Sequence, residues 1–166
     1  MKAAVWKGIE QLEIDDLPVP EPKDLYDIQI KVAACGVCAT DVHIIEGKFP
    51  MFKPPRVIGH EYTGVVSAVG KGVTRFTIGD RVAAETGLAC ERCYFCRDGR
   101  EHQCNHRYAH PGGFAEYTLM PEKLVHKLPD GLSFEFGALA EPVACVLHAV
   151  DLAKVRSGDV ALVLAG

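Results

Sequence analysis

Four cysteines crowd one short stretch. Cys90, Cys93 and Cys96 are each separated by two residues, and Cys104 follows after seven more. The residues between them, Arg92, Arg97, Asp98 and Arg100 included, offer little apolar surface to bury. Such a segment folds only if its sulfurs are tied together. Zinc, disulfides and an iron–sulfur cluster could each do so. Four thiolates close a tetrahedral zinc shell with no open position, the mark of a structural site. The chain has seven cysteines, an odd number, and no secretion signal follows Met1. Spacing and a reducing compartment therefore favour zinc, in a lobe spanning about 88–106.

Around that lobe the hydrophobic pattern is mostly of period two. Lys2 to Trp6 suits a strand, Leu12 to Leu17 alternates as a half-buried strand does, and Pro18, Pro20 and Pro22 then make a stiff connection. Alternation resumes at Ile28 to Val32, Thr63 to Val69, Leu119 and Leu124 to Leu128. Strands at such short intervals, without helices between them, predict a mainly β fold with short helices, closed as a barrel. Pro129-Asp130-Gly131 is a turn, and Ser133 is a helix N-cap with Glu135 in the first turn. Pro142 forces a break or a new start. Cys145 and His148 share one face of the following helix and are expected to be buried in packing. Ser157 to Gly166 looks like the turn and buried first parallel strand of a dinucleotide-binding fold, stopping where a glycine-rich phosphate loop should begin. The predicted organisation is one domain over 1–155 and the start of an incomplete one over 156–166.

Composition narrows the function. Net charge is −4 with basic and acidic residues interspersed, which argues against a nucleic-acid partner. No apolar run is expected to span a membrane, and the start of the chain lacks a signal-peptide core, so a cytoplasmic location is predicted.

Two further stretches carry chemistry. Gly59-His60-Glu61 opens a run of alternating small and β-branched residues, and Cys35-Gly-Val-Cys38-Ala-Thr40-Asp41-Val-His43 places a thiol, a hydroxyl, a carboxylate and an imidazole in one turn. Together they suggest a second, catalytic zinc site in which Cys38, His60 and Glu61 supply three ligands and leave one position open. Asp41 is the candidate to accept the second N–H of His60 and orient its ring, and it could instead bond its own turn. Phe49 and Phe52 could wall a substrate cleft or belong to the core. His102, His106 and His110 are expected to be mostly solvated.

The Cys38-Ala-Thr40-Asp41-Val-His43 turn, the Gly-His-Glu-X-X-Gly run at Gly59 to Gly64 and the four-cysteine lobe together resemble the zinc-containing medium-chain dehydrogenase/reductase family, over essentially the whole chain. The resemblance implies a GroES-like barrel catalytic domain with a zinc lobe, ending at the first strand of a truncated Rossmann fold. It selects Cys38 rather than Cys35 as ligand, and it places Glu141, followed by Pro142, at the catalytic zinc. It makes Thr40 and His43 the proton path, with Thr40 receiving the substrate's proton and His43 relaying it, both beside the cofactor. It implies two zinc ions and, in a longer parent, NAD or NADP. The implied parent is a homo-oligomer that oxidises a secondary alcohol or polyol, with this portion binding zinc but not turning over cofactor. A non-catalytic zinc-stabilised barrel that binds proteins, and a zinc hydrolase using Glu61 as base, are the competing readings.

Overall fold

The computed structural model describes residues 1–85, 87–107 and 111–164. His110 and the last two residues of the expected Rossmann strand lie outside that set. The chain begins with β1 (Lys2–Gly8), β2 (Gln11–Asp16) and β3 (Asp27–Gly36). Next come α1 (Ala39–Ile45), β4 (Arg56–Val57), β5 (Glu61–Val69) and β6 (Arg81–Ala84). The lobe holds α2 (Tyr94–Arg97) and a 3-10 turn at Glu101–Gln103. The remaining elements are β7 (Tyr117–Pro121), a second 3-10 turn at Glu122–Leu124, β8 (Val125–Lys127), α3 (Phe134–Ala138) and α4 (Ala140–Ala153).

Among the described residues the strands make two antiparallel sheets, β2-β1-β4 and β7-β3-β5-β6-β8. A single bridge between Ala3 and Ala115 links β1 to the approach to β7. The expected barrel is thus a half-barrel of two sheets rather than one closed ring of hydrogen bonds. β5 is the central strand of the larger sheet, and β3 beside it is buried on both faces over Ile28–Ile30. Ile28 and Ile30 enter a core with Tyr62, Val66, Phe76, Val82, Met120 and Val125. Gln29, also buried, is accommodated because its amide donates to the Pro20 carbonyl at 2.5 Å and accepts from Ser67 Oγ at 2.6 Å.

β2 forms where the alternation predicts it, but it is not half-buried. Leu12 and Ile14 are 43% and 69% exposed, because β2 is an edge strand paired only with β1. Phe49 and Phe52 pack against a second cluster of Trp6, Ile44 and Ile58. That cluster fastens α1 to the smaller sheet and so fixes the helix that carries Thr40, Asp41 and His43. Burying a side chain such as Ile44 contributes about 2 kcal/mol.

Ser133 caps α3 by accepting the Phe136 N–H at 3.2 Å. Thr63 Oγ1 donates to the Phe134 carbonyl at 2.8 Å, tying α3 to β5. Pro142 sits in the first turn of the new helix α4, where its missing N–H costs no intrahelical bond. One expectation fails here. Cys145 and His148 are exposed rather than packed, because that side of α4 faces an open cavity and not the core. Among the described residues Val160 to Leu164 pairs with no strand and is almost fully exposed; a parallel strand forms only beside partner strands. Residues 134–153 also revise the expectation about membrane-spanning length. By length and hydropathy alone they suffice to cross a bilayer, although they form two helices with α3 lying on the sheet.

Candidate metal centres

The lobe brings all four cysteine sulfurs within 4.8 Å of one another. A tetrahedral shell with Zn–S bonds of about 2.3 Å sets sulfurs about 3.8 Å apart. The observed separations are 4.0 Å for Cys90–Cys96, 3.5 Å for Cys93–Cys96 and 3.9 Å for Cys93–Cys104. Disulfide sulfurs would lie about 2.05 Å apart, and all seven cysteines are free thiols. Backbone N–H groups of Cys90 and His106 point at Cys104 Sγ from 3.4 and 3.3 Å. The N–H groups of Arg92 and Cys93 draw the Cys90 thiol down to about 6, whereas desolvation and the neighbouring thiols push Cys96 up to about 12. In the metal-free lobe these sulfurs share their protons unequally, and a divalent cation would discharge them all. The donor set and spacing fit a structural zinc.

The second group is assembled from the ends of two neighbouring strands. Cys38 caps α1 just after β3, and His60 and Glu61 stand at the start of β5, which pairs with β3. Their donor atoms lie within 4.8 Å of one another, close enough for one ion to touch all three. Thiolate, imidazole and carboxylate are the donors that zinc accepts, so this set fits as well. The turn into His60 needs Gly59: its φ is +90°, and a Cβ there would lie 2.6 Å from the Phe114 ring.

Asp41 lies beneath this group, 1% exposed. Its carboxylate accepts the Cys38 N–H at 3.0 Å and the Gly59 N–H at 3.1 Å, and its Oδ1 is 3.4 Å from His60 Nδ1. One side chain thus clamps both ligand-bearing segments and engages Nδ1, so coordination by His60 would go through Nε2. Asp41 also raises the His60 imidazole to about 9, against the effect of burial. Burial alone would raise the Asp41 carboxyl, but His60 and the two N–H groups outweigh it and hold it below its usual range.

Thr40 and His43 follow on α1, three residues apart and so on one helix face. His43 is about half exposed, with Nδ1 3.4 Å from Glu46 Oε2, a partner the sequence motif does not mark. Cys35 stays outside the ligand group. It packs against the main core, where burial pushes its thiol up to about 12. Glu141 stands in the first turn of α4, accepts the Cys145 thiol at 3.7 Å, and is not among the three converging ligands. It borders a cavity of about 580 Å³ that is also lined by Glu85, His102, Arg107, Cys145 and His148. His102 is exposed on the lobe, as expected, yet its ring lies 5.1 Å from that of His148 on α4.

Comparison with known proteins supplies the lineage. Residues 24–130 match the alcohol dehydrogenase GroES-like domain, and a second match, to Titin Z, takes in residues 135–159 on α3 and α4. The chain is 39% identical over 168 aligned positions to a Neosartorya fischeri protein named "Probable D-xylulose reductase A", covering 96% of this chain and 47% of that protein. Galactitol-1-phosphate dehydrogenase from Escherichia coli superposes with a TM-score of 0.86 at 34% identity, over 93% of this chain and 45% of that one. A short chain alcohol dehydrogenase from E. coli CFT073, complexed with NADH, does so with a TM-score of 0.85 at 32% identity, over 93% and 46%. The chain therefore spans about half the length of the relatives it matches. With its half-barrel, its four-cysteine lobe and the Cys38, His60 and Glu61 group all present, the chain belongs to the alcohol dehydrogenase GroES-like domain family.

Proposed function

We propose that this chain is the zinc-binding catalytic portion of a dehydrogenase that oxidises a secondary alcohol or polyol, with hydride transfer to NAD or NADP bound by a further domain. The observation that carries this reading is the convergence of Cys38, His60 and Glu61 within 4.8 Å, two residues from Thr40. D-xylulose reductase and galactitol-1-phosphate dehydrogenase among the relatives favour a polyol over a simple alcohol. The seven unpaired cysteines suit a reducing compartment, the cytoplasm.

When bound, zinc polarises the substrate hydroxyl and the nicotinamide accepts the hydride. The chain's own residues do the rest. Cys38, His60 and Glu61 hold the metal, and Asp41 keeps the His60 ring in a fixed tautomer and orientation. Glu141 closes the same centre from α4 as a fourth ligand or as the partner of a water there. Thr40 Oγ accepts the proton that the substrate hydroxyl must lose and passes its own to His43. The half-exposed imidazole beside Glu46 then releases it to solvent.

A hybrid of this chain with the C-terminal half of the D-xylulose reductase tests the reading. The hybrid is expected to reduce D-xylulose with NADH or NADPH, to lose that activity in Cys38→Ala, and to lose about a hundredfold in kcat in Thr40→Ala. The chain alone is expected to bind zinc without nicotinamide-linked turnover. Undiminished activity of the Cys38→Ala hybrid, or clear turnover by the chain alone, would contradict it.

A further inference from the structure

Glu61 sits directly opposite Gly36 in the β3–β5 ladder. Residues paired this way put their side chains on one face of the sheet, about 5 Å apart at Cβ. Gly36 has no side chain there, and the Glu61 carboxylate fills the space. A Cβ built on Gly36 would lie 2.2 Å from Glu61 Oε2 and 3.2 Å from Glu61 Cβ. The first distance is more than an ångström inside ordinary van der Waals contact. Gly36 is not in the left-handed region of backbone conformation, so its φ is one that other residues adopt. The constraint on position 36 is therefore space, and what needs the space is the carboxylate. Glu61 is 8% exposed, and its Cβ as well as its carboxylate crowds position 36, so a side chain added there pushes the carboxylate from its place beside Cys38 and His60.

We infer that Gly36 is a positioning residue of the open metal centre: by lacking a side chain it seats the Glu61 carboxylate within reach of Cys38 and His60. This rests on the zinc-site reading proposed above. Any side chain at position 36 would displace the carboxylate and reshape the coordination without touching the metal itself. Residues that act behind a ligand in this way typically change metal affinity 10–100-fold.

A double-variant cycle tests it. The chain, Gly36→Ala, Glu61→Ala and the combined variant, each with one zinc in the four-cysteine lobe, are titrated with Co²⁺ and melted without added Co²⁺. In the presence of Glu61, Gly36→Ala is expected to weaken Co²⁺ binding about tenfold, to alter the visible cobalt spectrum and to lower the melting temperature. On the Glu61→Ala background the same substitution is expected to change affinity less than about twofold and to leave the melting temperature near that of Glu61→Ala. Equal losses on both backgrounds, or no loss with Glu61 present, would overturn the inference. If the unmodified chain takes up no Co²⁺ at this centre, the zinc-site reading falls. The melting half of the cycle still decides whether Gly36 acts through Glu61.

Discussion

Replacing Asp41 by alanine removes the side chain that joins the Cys38 turn to the Gly59-His60 turn. The carboxylate is almost wholly buried and accepts from Cys38 N and Gly59 N while engaging His60 Nδ1. Truncation leaves the buried Gly59 N–H and the partly buried Cys38 N–H without acceptors, at about 1–3 kcal/mol each, and releases the imidazole. A total loss of roughly 4 kcal/mol follows, equivalent to about a 10 °C fall in Tm for a chain of this size. Asp41→Asn is the sharper variant, because it keeps the volume but turns an amide donor toward N–H groups that need acceptors.

The pH dependence separates the ion pair from the packing. The His60 pKa is raised from 6.5 to about 9, so its contribution in the metal-free chain is complete below pH 6.5 and is lost as pH rises through 9. The Asp41 pKa is lowered from 3.8, so its contribution is complete above pH 3.8 and is lost on further acidification. Denaturant titrations of the chain and of Asp41→Asn should therefore differ most between pH 3.8 and 6.5, with the gap narrowing toward pH 9. A Tm for Asp41→Ala within about 2 °C of the parent, or a gap between chain and Asp41→Asn that does not change with pH, would refute the reasoning.

Chelation should act first on the lobe. Among the described residues Ala89 is the one apolar residue other than cysteine that packs against the four-cysteine cluster, so zinc removal is expected to expose the Arg92 and Arg97 bonds and speed their cleavage by trypsin at least about tenfold. Ser133→Ala removes the α3 cap and should cost about 1 kcal/mol, read as a Tm fall of roughly 3 °C. Ile44→Ala should cost about 3 kcal/mol by opening the cluster under α1, and it should also weaken metal binding at Cys38, which that helix positions.

The features legible in the sequence were those whose chemistry is local. The spacing of Cys90, Cys93, Cys96 and Cys104 encodes a metal shell almost without reference to the rest of the fold. Cys38, Asp41, His60 and Glu61 likewise sit in two short turns. What stayed hidden depends on register and on neighbours. Gly36 is unremarked in the chain, because its meaning comes from facing Glu61 across a strand pair. Knowing that pairing, a glycine opposite a buried carboxylate would have been the signal. Leu12 and Ile14 alternate as a half-buried strand should, yet an edge strand of a small sheet leaves that face open. α4 has the same ambiguity in helical form. Val143, Val146, Leu147 and Val150 give it an apolar face, and apolarity alone does not supply the element that would cover it.

Zinc content per chain tests the central claim most directly, measured on the unmodified protein, on Cys38→Ala and on Cys93→Ala. Two independent sites predict two zinc ions in the unmodified chain and one in each variant. A single zinc ion that persists in Cys38→Ala and disappears in Cys93→Ala would mean that only the four-cysteine lobe binds metal, and the catalytic reading of Cys38, His60 and Glu61 would be wrong.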